Sequence, residues 1–288
     1  MTSDFASRAL EVFHFQAARC APYGQYLALL GVDPHAVKSV DEIPFLPIEI
    51  FRSHRVYCGT TAPELIFDSS GTTGGETSHH YVASAALYEQ SFVDAFTHFY
   101  GSPSRYSLHT MLPSYRAGSS LLYMVDRLNK LCTGSEILLL GVTFALLEAA
   151  RGGYHGPQPA IVMETGGMKG RGQEIERSLL HNELCAAFGV CSIHSEYGMC
   201  ELLSQAYSSG DGIFRPSPSM AIMVRDLLNP LHMVANETVG GINIIDLSNR
   251  YSCSFIATGD RGLRHTDGSF EVLGRIEGEI LRGCNMLQ

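Results

Sequence analysis

Two short apolar runs that stop at glycine place the strongest constraint on what this chain can fold into. EILLLG (136–141) and PAIVMETGG (159–167) have this form. The second run is followed by EIERSLLHNELCAAFG (174–189), which has the spacing of an amphipathic helix. Strands that are buried on both faces of a parallel sheet are apolar without alternation. The runs therefore predict neighbouring parallel strands covered by helices, which is an α/β fold.

The pattern changes near residue 212. AIMVRDLL, GGINIIDL, SCSFIATGD and FEVLGRIEGEI follow one another closely, with turn residues between them. Such spacing predicts antiparallel or mixed strand pairing. We therefore expect one domain in two parts: an α/β body over 1–210, with mixed or parallel sheets flanked by helices, and a smaller β-rich lobe over 211–288. Apolar positions at helical spacing also predict one or two helices within residues 4–30.

Composition and charge exclude several classes of protein. The 288 residues are 45% hydrophobic, which is enough for a folded core and argues against disorder. The net charge is −9 without a basic run, which argues against a nucleic-acid groove. The first ten residues do not resemble a signal peptide, and no apolar run is long enough for a membrane span, so we expect a cytoplasmic protein with reduced thiols. The eight cysteines include no C-x-x-C pair, which gives a zinc site little support.

The stretch FDSSGTTGGETSHH (67–80) is dense in hydroxyl side chains and glycines. It lies between an apolar run and the helix-like YVASAALYEQSFVDAF, so we expect a strand-to-helix turn. Glycine lets backbone N–H groups approach a ligand, and short hydroxyls add donors, which is the surface that phosphate oxygens bind. The nucleotide P-loop is excluded because its lysine is absent. The alternative is a flexible polar loop at the surface.

Two later stretches place polar residues where strands are expected to end. HSEYGMCELLSQAY (194–207) is expected to join a strand to a helix, with Tyr197, Gly198 and Glu201 at the junction. IATGDRG (256–262) is expected to end a strand on a turn that carries Asp260, and LGRIEGEILRG puts Arg275 just beyond another strand. Alone, these patterns also fit a capped helix start and an ordinary hairpin turn.

Taken in order, SSGTTGG, EYGMCE, TGD and GR resemble the signatures of the acyl-adenylate-forming superfamily, which includes acyl-CoA synthetases, luciferases and peptide-synthetase adenylation domains. The resemblance implies the fold of the N-terminal domain of those enzymes, with ATP and Mg²⁺ as cofactors. It also implies that the hydroxyl- and glycine-rich segment holds the ATP phosphates, through Ser69, Ser70, Gly71, Thr72, Thr73 and Gly74.

The same resemblance assigns the remaining nucleotide contacts. It implies that Tyr197, with Gly198, lies against adenine, that Glu201 helps to hold Mg²⁺, and that Asp260 and Arg275 bind the ribose hydroxyls. An apolar ring face suits adenine, a carboxylate suits a diol, and Mg²⁺ prefers hard oxygen ligands. One departure is that a cysteine, at position 200, replaces the threonine of the signature, and a thiol is a poorer hydrogen-bond donor.

Longer strings resemble the LuxE-type acyl-protein synthetases. They are FHFQAARCAPYGQYL, EIPFLPIEIFRSHRV, LPSYRAGSSLLYMVDRL, METGGMKGRG, SNRYSCSFIATGD and VLGRIEGEILRGCNM, and they extend from about residue 10 to the end. Proteins of this type resemble the larger enzymes without their mobile C-terminal domain, which brings a lysine to the reacting groups. No lysine follows Lys169, so we expect no lysine domain here and take Lys169, with Thr73, as catalytic candidates. The alternative for Lys169 is a solvated loop residue.

The resemblance implies ATP-dependent activation of a carboxylic acid, such as a fatty acid, to acyl-AMP, followed by transfer to a thiol of a protein, a carrier or CoA. LuxE-type enzymes carry the acyl group on a cysteine near the C-terminus, and Cys284 in RGCNM matches that neighbourhood; the alternative is a buried structural thiol. Two other functions stay open. One is a ligase that resembles phenylacetate-CoA ligase, and the other is a nucleotide- or acyl-binding subunit with little turnover. A homo-oligomer is compatible with all three.

Overall fold

The structure, a computed structural model, describes residues 2–69, 77–113, 118–166 and 175–276. In these ranges the α-helices are α1 (Ser3–Arg19), α2 (Ala21–Leu29), α3 (Ile50–Ser53), α4 (Ala85–Tyr100), α5 (Ser120–Leu131), α6 (Thr143–Arg151) and α7 (Arg177–Phe188). The strands of the body are β1 (Leu46–Pro47), β2 (Leu65–Asp68), β3 (His79–Val82), β4 (Tyr106–Met111), β5 (Glu136–Val142), β6 (Ile161–Thr165), β7 (His194–Tyr197) and β8 (Ala206–Ser208). The later strands are β9 (Ile213–Pro216), β10 (Met220–Arg225), β11 (Gly240–Asp246), β12 (Phe255–Arg264) and β13 (Phe270–Arg275).

One hydrogen-bonded sheet passes through both parts of the chain, in the order β10-β11-β12-β13-β9-β8-β7-β6-β5-β4. Strands β4 to β7 pair in parallel, and the pairs from β7 through β9 and β13 to β10 are antiparallel. Strand β1 pairs in parallel with β12, and β2 and β3 form a separate antiparallel pair. The α/β fold with a mixed sheet flanked by helices is therefore confirmed.

Strand β5 is almost continuously apolar because helices cover both of its faces. On β5, Leu138 and Leu140 belong to the apolar cluster that includes α4 and α5, whereas Leu139 belongs to the cluster of α6 and α7. Burying a leucine side chain contributes about 1.5–3 kcal/mol, so each face stabilises the sheet. The sequence prediction of neighbouring parallel strands at β5 and β6 is confirmed.

Helix α1 packs against the β-rich part of the sheet, far from it in sequence. Its buried face carries Phe13, whose ring lies edge-on to Phe255 of β12 at 6.0 Å between centroids. Tyr23 of α2 stacks on the same phenylalanine at 6.2 Å. The sequence predicted one or two helices within residues 4–30; the structure has two, and they form one core with the later strands.

The hydroxyl- and glycine-rich segment joins two antiparallel strands, so the predicted strand-to-helix turn is wrong. Asp68 of β2 pairs with His79 of β3. The Ser69 amide donates to the Ser78 carbonyl at 3.0 Å, and the Ser78 amide donates to Ser69 Oγ at 2.9 Å. Helix α4 begins only at Ala85. Alternation along β3 buries every second side chain, a pattern too short to stand out beside the helical spacing that follows it.

The helix expected after β7 is also absent from the described chain. A turn at 200–201 leads instead into β8. The amides of Leu203 and Ser204 donate to Oδ2 of Asp246, at 2.7 and 3.0 Å. A carboxylate at the end of β11, distant in sequence, therefore fixes the course of this segment, which local spacing does not reveal.

Asp260 lies inside β12, so its expected position on a turn is wrong. It pairs directly with Arg275, the last residue of β13. The register of the two strands shifts between Arg261 and Gly262. The glycines on either side of Asp260 therefore lie in an irregular stretch of strand and not in a turn. The hairpin turn comes later, between the two strands.

Gln16 is a buried link between α1 and the segment before β12, and its loss should destabilise the fold. Its side-chain amide donates to the carbonyls of Asn249 and Arg250, at 3.0 and 2.9 Å, and accepts from the Ser254 amide at 2.9 Å. Gln16→Leu leaves buried polar groups without partners, each costing about 1–3 kcal/mol, so we expect the free energy of unfolding to fall by about 3 kcal/mol in denaturant titrations. Exposed Gln90→Leu is the control, with a change within about 0.5 kcal/mol. Equal effects of the two substitutions would contradict the prediction.

Candidate functional site

Three residues that the sequence singled out lie together in the structure. The hydroxyl of Tyr197, at the end of β7, donates to Oδ2 of Asp260 at 2.7 Å. Arg275 donates from Nη1 to Oδ1 of the same carboxylate at 2.8 Å. Asp260 is buried, whereas the Arg275 side chain is 68% exposed. The cluster therefore joins a buried carboxylate, an aromatic hydroxyl and a cation that reaches solvent.

The surroundings of Tyr197 keep it a hydrogen-bond donor. Its ring centroid lies 5.8 Å from that of Phe214 and 5.5 Å from that of Phe270. Burial, together with the negative charge of Asp260, raises the pKa of Tyr197 well above its usual value. The phenol therefore stays protonated at neutral pH and continues to donate to Asp260.

Glu201 lies at the base of the hydroxyl- and glycine-rich segment. Its carboxylate is buried and hydrogen-bonds the hydroxyl of Ser78, which is the residue that closes this segment on Ser69. Burial raises the pKa of Glu201, and the charges of Arg52 and Arg275 act in the opposite direction. The turn after β7 and the base of the segment are thus in direct contact.

The side chains around Glu201 could hold Mg²⁺ only if water and the phosphate oxygens of a bound nucleotide supplied the other metal ligands. Within the described ranges, no group of three or more His, Cys, Asp or Glu side chains is placed to hold a metal ion. Mg²⁺ commonly takes one or two carboxylates and completes its shell with water and phosphate oxygens. A single buried carboxylate beside a hydroxyl-rich segment matches that pattern, and Glu201 is the residue that would supply it.

Gly198 has a packing role that the sequence did not reveal. A Cβ at this position would lie 2.5 Å from Oε1 of Glu196, so the carboxylate occupies the space of a side chain. Glu196 is itself buried and accepts a hydrogen bond from Thr165 Oγ1 at 2.5 Å. It points to the opposite face of β7 from Tyr197, as alternation along a strand requires. Glu196 also lines an apolar cavity of about 20 Å³ between the sheet and α5.

His80 and Asn249 are site-adjacent residues that sequence reasoning missed. The His80 ring is completely buried, with Nδ1 2.7 Å from the carbonyl oxygen of Cys200 and Nε2 2.9 Å from Oδ1 of Asn249. The Asn249 side-chain amide donates to the carbonyls of Glu201 and Cys253, at 2.8 and 3.0 Å. No local pattern in the sequence marks either residue, because the groups that they contact lie far away in the chain.

Several predicted site residues receive no structural description. Ser69 is described and pairs with Ser78 as given above, and Cys200 packs beside the apolar cluster of α4 and α5. The others lie outside the described residues: Ser70, Gly71, Thr72, Thr73, Gly74, Lys169 and Cys284. Their assignments remain predictions.

A second cavity, larger than the one beside Glu196, lies elsewhere. It measures about 540 Å³ and is lined by Tyr106, Ile161 and His194, which lie at the amino ends of parallel strands. Tyr197 lies at the carboxyl end of β7, so this cavity opens at the opposite edge of the sheet. Its two arginines, Arg105 and Arg215, are each paired with a carboxylate. The cavity is therefore separate from the cluster that the sequence predicted.

The titration of His80 should make the fold sensitive to acid. Burial lowers the pKa of His80 from 6.5 to about 4 and outweighs the two oxygen contacts, which favour the protonated ring. The unfolded chain therefore takes up a proton first as the pH falls, and folding loses about 3 kcal/mol between pH 6.5 and 4. Because His80→Asn removes this group, its free energy of unfolding should approach or exceed that of the wild type as the pH falls. Urea titrations at pH 7, 6, 5 and 4 measure this, and a constant difference between the two proteins would contradict it.

No protein-family profile and no curated protein matches the chain, but solved structures share its fold. An open form of 2-hydroxyisobutyryl-CoA ligase, in complex with 2-HIB-AMP and CoA, has a TM-score of 0.74 at 14% identity over 94% of this chain and 74% of that one. ATP-bound MatB from Rhodopseudomonas palustris has a TM-score of 0.54 at 16% identity, over 75% of this chain and 49% of that one. O-succinylbenzoate coenzyme A synthetase (MenE) from Bacillus subtilis, with ATP and magnesium, has a TM-score of 0.53 at 16% identity, over 73% and 49%.

These comparisons show the fold. The chain spans about half the length of MatB and MenE. The adenylate-forming fold expected from the sequence is therefore confirmed for the described part. In that part, no helix has both the length and the apolar composition that a membrane span requires.

Proposed function

We propose that this chain is an ATP-dependent ligase that activates a carboxylic acid as acyl-AMP and passes the acyl group to a thiol. The observation that carries the proposal is the convergence of Tyr197, Asp260 and Arg275 with hydrogen bonds of 2.7 and 2.8 Å, although they lie far apart in the sequence. Those are the residues that the superfamily resemblance assigns to the nucleoside of ATP. The fold shared with proteins solved with ATP or an acyl-AMP supports the same assignment.

The cluster is chemically suited to a nucleoside. A buried carboxylate that already accepts two hydrogen bonds is fixed in orientation, and ribose hydroxyls are donors that a carboxylate accepts strongly. Arg275 extends into solvent, where its planar guanidinium can pair with a polar ligand. The aromatic face of Tyr197 offers adenine an apolar surface.

The proposed reaction needs positioning more than covalent chemistry from the protein. A carboxylate oxygen of the acid forms a bond to the α-phosphorus of ATP, and the bond from that phosphorus to the bridging oxygen breaks as pyrophosphate leaves. The segment from Ser69 to Gly74, with Thr73, would donate hydrogen bonds to the phosphates, and Lys169 would neutralise charge beside them. Glu201 would hold Mg²⁺, which supplies charge neutralisation on the phosphates when it is bound.

The second half-reaction moves the acyl group to sulfur. A thiolate attacks the carbonyl carbon of acyl-AMP, a thioester forms, and AMP leaves with the bonding electron pair. Resemblance to LuxE-type proteins favours a protein thiol, with Cys284 as the first carrier. The alternative acceptor is CoA, which is favoured by the CoA ligases and synthetases among the structures that share the fold.

The experiment that tests the function is ATP–pyrophosphate exchange with a panel of short, long, aromatic and hydroxylated acids. Acid-dependent exchange is the expected result, and supplying CoA then shows whether acyl-CoA is formed. ATP binding without exchange for any acid would favour a nucleotide-binding subunit. A protein that neither binds ATP nor exchanges pyrophosphate with any acid would overturn the proposal.

Loss of the Asp260 carboxylate should weaken nucleotide binding specifically. A hydrogen bond that involves a charged group is worth about 1.5–3 kcal/mol, so Asp260→Ala should raise the Kd for ATP roughly tenfold to a hundredfold in calorimetric titrations. Asp267→Ala, in the hairpin turn before β13, is the matched control, because that carboxylate pairs with Arg215 at the surface. A lower melting temperature for Asp260→Ala with unchanged ATP affinity would assign the residue a structural role only.

The acyl-carrier role of Cys284 has a direct test by intact mass. Incubation with ATP, Mg²⁺ and an accepted acid should add one acyl group that hydroxylamine removes, since thioesters are cleaved by this nucleophile. The adduct should be absent in Cys284→Ser, while pyrophosphate exchange continues. Cys191→Ser is the matched control, because this thiol is exposed and no role is proposed for it. An adduct that survives in Cys284→Ser would place the acyl thiol elsewhere.

A further inference from the structure

The turn that carries Glu201 is held by side chains from two other segments. His80 of β3 contacts the carbonyl oxygen of Cys200 at 2.7 Å, and the Asn249 side chain donates to the carbonyl oxygen of Glu201 at 2.8 Å. Both side chains are almost completely buried. Two successive backbone carbonyls of one turn are therefore fixed by residues that are distant in sequence.

The orientation of the Asn249 amide follows from its partners. Its nitrogen lies between two carbonyl oxygens, those of Glu201 and Cys253, and has a hydrogen for each. Its oxygen must then face Nε2 of His80, which lies 2.9 Å away. The neutral His80 ring carries one N–H, which is donated either to this oxygen or to the Cys200 carbonyl, and in both cases Asn249 and His80 lie in contact behind the turn.

Ser78 and His80 lie on the same face of the backbone, because side chains two positions apart in an extended segment point the same way. The Ser78 hydroxyl contacts the carboxylate of Glu201, and the His80 ring contacts the carbonyl oxygen of Cys200, the residue before Glu201. One extended segment therefore contacts both the side chain and the backbone of the turn. The same segment is the continuation of the hydroxyl- and glycine-rich sequence at 69–76.

We propose that His80 and Asn249 are positioning residues, which hold the 200–201 turn so that the Glu201 carboxylate stays at the base of the hydroxyl- and glycine-rich segment. This inference rests on the proposed function, in which Glu201 is a ligand of Mg²⁺ bound with ATP. Residues that orient a metal ligand typically change metal affinity or activity by about 10–100-fold when they are replaced. Neither residue contacts the nucleotide cluster of Tyr197, Asp260 and Arg275 in the described structure, so their effect should be on the metal and not on the nucleoside.

The test compares three variants of the pair. His80→Leu introduces an apolar side chain of similar size and removes both ring nitrogens, the one beside the Cys200 carbonyl and the one beside Oδ1 of Asn249. His80→Asn supplies an amide N–H close to the position of Nδ1 and should restore part of the wild-type behaviour. Asn249→Asp keeps an oxygen toward His80 and removes the donors to Glu201 and Cys253.

The readouts separate metal binding from nucleotide binding and from folding. Mn²⁺, as a probe of the Mg²⁺ site, is titrated by electron paramagnetic resonance in the presence of a non-hydrolysable ATP analogue. ATP affinity in EDTA and the melting temperature are measured on the same samples. We expect His80→Leu and Asn249→Asp to weaken Mn²⁺ binding by about 10–100-fold, with ATP affinity in EDTA unchanged.

The matched control is His265→Leu. His265 also has both ring nitrogens engaged, by Glu237 at 2.8 Å and by Glu271 at 3.1 Å, but it lies in the hairpin between β12 and β13. Its replacement should lower the melting temperature and leave Mn²⁺ binding unchanged. The control thus shows how much a loss of stability by itself changes the metal readout.

The outcomes distinguish this inference from the proposed function. Wild-type Mn²⁺ binding for both His80→Leu and Asn249→Asp would overturn the positioning role and leave the ligase proposal intact. Mn²⁺ binding that is weakened as expected, in a protein that exchanges pyrophosphate with no acid, would support the positioning role and overturn the ligase. If His80→Leu does not fold, Asn249→Asp decides the matter. If the wild-type protein binds no Mn²⁺ in the presence of the ATP analogue, both the positioning role and the proposed function are overturned.

Discussion

The buried carboxylate of Asp246 is the interaction on which the arrangement of the site depends. It accepts hydrogen bonds from the amides of Leu203, Ser204 and Ser248, between 2.7 and 3.1 Å, and from the Ser204 hydroxyl at 2.6 Å. The first two amides belong to the segment after Glu201, and the third lies in the short 3-10 helix Leu247–Asn249. One charged group, taken out of water, therefore determines where both sides of the site meet, and removing it would leave several buried donors without a partner.

Two buried carboxylates of this region are compensated differently. Burial raises the pKa of both Asp246 and Glu201. Asp246 is surrounded by donors from its own protein, so its role is structural. For Glu201 the hydrogen bonds come from Ser78 and from its own backbone, while Arg52 and Arg275 act only through their charge. A cation placed beside Glu201 would lower its pKa and relieve the cost of burying it, which is the behaviour expected of a metal ligand.

The sequence predicts those parts of the fold that local patterns determine. The apolar runs of β5 and β6 predicted parallel strands, and the helical spacing at the N-terminus predicted helices. The order of the signatures, through the superfamily resemblance, assigned Tyr197 and Asp260 to one site. The errors have long-range causes. In place of the helix expected after β7, the described segment is bound by Asp246, which lies 43 positions beyond Leu203 in the chain. The glycine beside Asp260 suggested a turn, whereas a shift in strand register keeps this segment extended. His80 was missed because its partners, Cys200 and Asn249, come from distant turns.

The packing of α1 on the β-rich lobe also has a consequence during synthesis. The ribosome produces the chain from its N-terminus, and the buried face of α1 finds its partners at two different times. Phe13 packs on nearby Tyr23 at 6.1 Å between ring centroids, whereas Gln16 meets Asn249 across 233 positions. Until about nine-tenths of the described chain has emerged, the part of this face that packs on Phe255 of β12 has no native surface to cover it. Contacts of such high sequence separation slow folding and prolong the exposure of apolar surface. Part of the apolar face of α1 is therefore exposed for most of the synthesis of the chain, although α2 covers the rest early.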